Sequence, residues 1–73
     1  MSDSHKGWTK YHIISAGKDW RFFREGMKRS IITHRDRNKV IKEALHRMCE
    51  DGGLLTVHKE DATVDFIVDN WNG

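Results

Sequence analysis

The stretch DRNKVIKEALHRMCEDGGLLTVHKEDA, Asp36 to Ala62, decides the fold. Val40, Ile41, Ala44, Leu45 and Met48 recur at the spacing of one apolar stripe on an α-helix, with charged residues filling the rest of the turn. Asp36 is an apt N-cap, because its carboxylate can accept from first-turn amides that have no partner in the helix. Thr33, three positions before Asp36, is the competing cap. Gly52 supplies the left-handed residue that stops a helix, so the helix is predicted over 37–51. Glu43 and Arg47 are spaced as a favourable i,i+4 pair worth about 0.2–0.5 kcal/mol. Beyond Gly53, Leu55 and Val57 alternate with Thr56 and His58, a half-buried strand over Leu54–His58. The polar Lys59-Glu60-Asp61-Ala62 turns it into a partner over Thr63–Asp69, where Val64, Phe66 and Val68 alternate with Asp65, Ile67 and Asp69.

Before the helix the same periods give two or three strands. Lys10–Ser15 places Tyr11 and Ile13 on one face and His12 and Ile14 on the other. Turn chemistry at Ala16–Asp19 leads into Trp20–Arg24, where Trp20 and Phe22 oppose Arg21 and Phe23. Ser30–Thr33 is a short third strand. The predicted order is ββ(β)αββ: an α+β domain with a small antiparallel sheet of four to five strands and one α-helix packed on one face. Residues 1–9 read as a flexible N-terminal arm, with Trp8 able to pin its end, and residues 10–73 as the single domain.

Seventy-three residues bury only about 60% of the unfolded surface, so reinforcement is expected, and self-association is the route left open. One cysteine, Cys49, rules out an intrachain disulfide and fits a reducing compartment. No apolar run approaches the roughly 20 residues that span a bilayer, and residues 1–7 lack the apolar core of a signal peptide. The expectation is a cytoplasmic protein with no membrane partner. The net charge of +2 divides sharply. Residues 1–42 carry eleven Lys/Arg against four Asp/Glu, giving +7, and residues 43–73 carry two against seven, giving −5. Such asymmetry points to an anionic partner, or to two halves that neutralise each other on folding.

The chain resembles the prokaryotic "domain of unknown function 2188" group of small proteins. The likeness rests on Trp20-Arg21-Phe22-Phe23-Arg24-Glu25-Gly26, on Asp36, Val40, Ala44, Met48 and Gly52, on Val57-His58-Lys59-Glu60-Asp61-Ala62, and loosely on Trp71-Asn72-Gly73. It spans about residues 10–73 and implies the same strand–helix–strand order; it carries no activity. Two departures have consequences. Ala62 replaces the usual Gly, so the last turn is expected to avoid positive φ. Phe23 replaces a polar residue on what should be the solvent side.

Two surfaces follow as candidates. One helix covers one sheet face, leaving Ile14, Phe23 and Ile67 on the other, with Arg21 and Asp65 at its rim and Trp8 and Trp71 on its flanks. Contiguous exposed apolar surface marks interfaces, so this face is the predicted contact for a homodimer or protein partner. The bland alternative is that the termini fold over it. The second surface is basic: Arg29, Arg35, Arg37 and Lys39 gather near the helix N-terminus, where cations oppose the macrodipole and a phosphate would relieve them. Nucleic acid is therefore the alternative partner, and a solvated charged face is the simpler explanation. No metal, cofactor or small-molecule site is predicted. His46 and Cys49 lie i,i+3, but no second ligand pair has zinc spacing, and a small buried Cys with an exposed His is the ordinary reading. Pairings of Cys49 with a histidine, or of His58 with Asp61, come with no sign of a cleft, so no catalytic residue is assigned.

Overall fold

The computed structural model describes residues 9–70. It contains β1 (Lys10–Ala16), β2 (Asp19–Arg24), β3 (Ile32–His34), α1 (Arg37–Asp51), β4 (Gly53–His58) and β5 (Val64–Asn70). The predicted order and the α+β class hold. The five strands form one sheet in the order β3-β2-β1-β4-β5. The third strand is real but shifted to Ile32–His34. Trp8, Trp71 and all but the last residue of the expected arm lie outside the described residues.

One pairing differs from the all-antiparallel expectation: β1 and β4 run parallel, with Tyr11 opposite Leu55 and Ile13 opposite Val57. The helix is the reason. β3 runs in the same direction as β1, because each is antiparallel to β2. A 15-residue helix, about 22 Å long at 1.5 Å per residue, returns the chain along the sheet before β4 begins. The strand that follows must therefore run the way β3 and β1 run.

Asp36 is the cap: its Oδ1 accepts from the Asn38 amide at 3.0 Å, while Thr33 is spent in β3. At the other end the Gly52 amide donates to the Met48 carbonyl at 2.6 Å. Val40, Ala44 and Met48, one per turn, are buried against Ile13, Phe22, Leu55 and Val57. Tyr11, Trp20, Ile32, Ile41, Leu45 and Val68 close the edges of this core half-buried. Each buried large side chain contributes about 1.5–3 kcal/mol relative to exposure. The helix lies over the β2 and β3 side of the sheet. Toward the other edge cover runs out, and on β5 Phe66 is 40% exposed although it faces the helix side.

Two local features overturn expectations. Ala62 adopts φ +77°. Lys59 donates to Thr63 (2.8 Å), so Glu60, Asp61 and Ala62 form a three-residue hairpin loop whose last position is left-handed whatever residue occupies it. The second concerns Cys49, which is exposed. It sits one residue past Met48, about 100° around the helix from the buried stripe. No helix among the described residues is long and apolar enough to cross a membrane.

Candidate functional site: the outer face of the sheet

Strand alternation sends His12, Ile14, Arg21, Phe23, Thr56 and Ile67 to the face opposite the helix. Pairing places Phe23, His12, Thr56 and Ile67 in one row across β2, β1, β4 and β5. Ile14 and Arg21 are directly opposed in the next row. Ile67 is 56% exposed, whereas Ile14 and Phe23 are half-buried. Among the described residues α1 packs against the opposite face, and the β2–β3 loop reaches this one at Arg21, through Ser30 and Lys28. The apolar residues of the outer face fall into two groups, Ile14 with Phe23 on β1 and β2, and Leu54, Val64 and Ile67 on β4 and β5, divided by a polar strip.

That strip is a hydrogen-bonded chain. His12 Nε2 lies 2.7 Å from Glu25 Oε1, His12 Nδ1 lies 3.1 Å from His58 Nε2, and His58 Nδ1 lies 3.2 Å from the Ala62 carbonyl oxygen. The outer acceptors fix the tautomers, because a carboxylate and a carbonyl can only accept. His12 must therefore donate from Nε2 and His58 from Nδ1. The facing nitrogens would then present two lone pairs to each other, so a hydrogen bond between them requires one further proton on the pair. The hydrogen bond from His12 holds the Glu25 carboxyl below the ordinary value of 4.5. Phe23 stacks on His12 at 5.6 Å and 26°, fixing one wall of the strip.

Sequence reasoning assigned His12 and His58 to the outward parity of their strands but did not bring them together. The missing information is the parallel β1–β4 register, which connects residues 46 positions apart.

The expected rim residues are both committed elsewhere. Arg21 donates from Nε to Ser30 Oγ and from a terminal nitrogen to the Lys28 carbonyl at 3.3 Å, tying down the β2–β3 loop. Asp65 leaves the outer face altogether. Val57 pairs with Phe66 and His58 with Val64, so Asp65 is the extra residue of a β-bulge. The bulge re-aims its carboxylate to the helix side, where it accepts from the Arg37 guanidinium. Arg37 also lies 5.3 Å from the Trp20 ring centroid and 6.0 Å from that of Phe66. It acts as a tie between α1, β2 and β5.

The four proposed phosphate contacts consequently do not converge. Arg37 is paired, Arg35 and Lys39 are exposed at the start of the helix, and Arg29 lies in the β2–β3 loop beside Arg24 and Arg47. Among the described residues no three His, Cys, Asp or Glu side chains are placed to hold a metal ion, and His46 and Cys49 are both exposed on the helix. No family model, no curated protein and no solved structure matches this chain.

Proposed function

We propose that this domain is a non-enzymatic binding module whose outer sheet face docks a second copy of the chain. The observation that carries the reading is the row Phe23–His12–Thr56–Ile67, apolar at both ends and polar in the middle, on the face turned away from α1. Two such faces related by a two-fold axis near His12 and Thr56 are self-complementary. The Phe23 end of one meets the Ile67 end of the other, as an isologous contact requires. The polar strip suits an interface centre because its outer ends, His12 to Glu25 and His58 to the Ala62 carbonyl, already have partners within the chain. A marginal core gives the domain reason to associate, and the exposed, unpaired Cys49 thiol fits the reducing cytoplasm.

Sedimentation or multi-angle light scattering tests this. The wild type should run at twice the chain mass at high micromolar concentration, and Ile67→Asp should run at the chain mass with unchanged circular dichroism. Ile67 is the right probe because its exposure leaves folding intact. A monomeric wild type, or an Ile67→Asp variant that remains dimeric, would overturn the proposal.

A further inference from the structure

Three arginines from three elements line one open hollow of about 430 Å³ at the end of the sheet away from the helix N-terminus: Arg24 at the end of β2, Arg29 in the β2–β3 loop and Arg47 on α1. None of them has an ion-pair partner among the described residues. Arg47 is the telling case. Glu43 lies one helical turn before it at the favourable spacing, yet the two do not pair, and Arg47 turns into the hollow while Glu43 faces another concavity beside Lys42 and His46. Among the described residues no carboxylate lines the hollow. Like charges gathered without a counter-charge raise the energy of the folded state unless an anion joins them.

The hollow is also built to keep its shape. Arg21 holds the loop that carries Arg29 through Ser30 Oγ and the Lys28 carbonyl, and the Ile31 amide donates to the Phe22 carbonyl at 2.7 Å. Ser30 spends an oxygen lone pair on Arg21 and retains its own hydroxyl proton to donate. Met27 and Ile31, 55% and 40% exposed, form an apolar wall beside the guanidinium groups.

We infer that this hollow binds the phosphate of a nucleotide, with the arginine forks on the phosphate oxygens and the base against Met27 and Ile31. Guanidinium geometry matches phosphate in a bidentate manner, and an apolar wall next to it suits an attached base more than a bare inorganic ion. The phosphate can belong to a free nucleotide or to a single strand of nucleic acid, and the two share this chemistry. The site is separate from the outer sheet face and does not depend on self-association.

The test measures ATP by calorimetry and a labelled single-stranded oligothymidylate by fluorescence anisotropy, in about 50 mM salt where electrostatic binding is strongest. Arg29→Gln and Arg47→Gln should each weaken binding about tenfold or more, the loss expected of a charge-assisted hydrogen bond. Arg35→Gln and Lys39→Gln, at the other end of the helix, should leave it unchanged. Binding of ATP alone assigns a free nucleotide; binding of the oligothymidylate, weakening with salt and with a shallower slope in Arg47→Gln, assigns a nucleic-acid strand. Absence of binding by both probes overturns the inference. So does an equal loss in Arg35→Gln, which would mean diffuse attraction, or polyglutamate binding as tightly as the oligothymidylate.

Discussion

Gly53→Ala should destabilise this domain by about 2–4 kcal/mol, and the figure can be built from two contributions. Gly53 opens β4 at φ +138°, a conformation that costs an L-residue about 1–3 kcal/mol. An added Cβ would also lie 2.6 Å from the Thr9 carbonyl oxygen, inside any real contact distance. Thr9 must then move, and its carbonyl accepts from the Leu54 amide at 2.8 Å, a bond worth about 0.5–1.5 kcal/mol. At about 0.05–0.15 kcal/mol per residue, 73 residues give a total stability of about 4–11 kcal/mol. The substitution therefore removes a large share of it. Gly17→Ala is the control. Its φ is +68°, but no atom lies within 4 Å of the added Cβ, so only the left-handed strain of about 1 kcal/mol applies. Urea denaturation followed by tryptophan fluorescence gives both values at a common slope. If the two variants lose equal stability, the steric reasoning about Thr9 is wrong.

The reverse substitution is expected to help at Ala62. Its left-handed conformation costs about 1–2 kcal/mol, and glycine returns about 0.4–1 of that as unfolded-chain entropy, so Ala62→Gly should gain about 0.5–1 kcal/mol in the same denaturation assay. Glu25 governs part of the acid response. Its folded pKa is depressed, chiefly by the hydrogen bond from His12, so its contribution is complete above about 4.5 and is lost as pH falls through the lower folded value. Glu25→Gln should accordingly flatten the acid limb of a stability–pH curve, and an unchanged limb would count against the His12 contact. Histidine ¹⁵N spectra should show His12 bearing hydrogen on Nε2 and His58 on Nδ1; the opposite tautomer at either ring breaks the chain as drawn. Arg37→Met should cost about 1 kcal/mol by thermal melting, since it removes an ion pair and cation–π contacts that are both partly exposed.

The helix was legible because everything that makes it is local. The cap at Asp36, the stripe through Val40, Ala44 and Met48 and the stop at Gly52 lie within one continuous segment, and its span matches residue for residue. Strand parity was legible for the same reason, and it placed Phe23, Ile14 and Ile67 correctly on the outer face. What alternation cannot convey is which strands are neighbours. The polar strip depends on β4 lying beside β1, a consequence of the helix crossing the sheet. Asp65 was misplaced because a bulge breaks the period-two rule at one residue, and nothing in the VDFIVD run marks it. Ala62 was misjudged because turn geometry is set by the pairing of Lys59 with Thr63 and overrides the preference of the residue inside it. Cys49 was misjudged by residue type where helix position decides.

The charge division of the sequence survives folding as a division across the sheet. Arg21, Arg24, Lys28, Arg29 and Arg35 belong to β2, its loop and the entry to the helix, whereas Glu60, Asp61, Asp65 and Asp69 belong to β5 and the turn before it. The strand order sets these groups at opposite edges. Between the two halves of the sequence, Arg37–Asp65 is a direct ion pair among the described residues. This bears on how copies meet. β5 is an edge strand with exposed Val64, Phe66 and Ile67, and such an edge invites pairing with another chain. A two-fold pairing there would bring carboxylates against carboxylates, the device by which edge strands are kept single. A two-fold contact across the outer face instead sets apolar ends together and leaves the acidic edge in solvent. The same arrangement leaves the basic edge, with Arg24 and Arg29, free for an anion while the face is occupied.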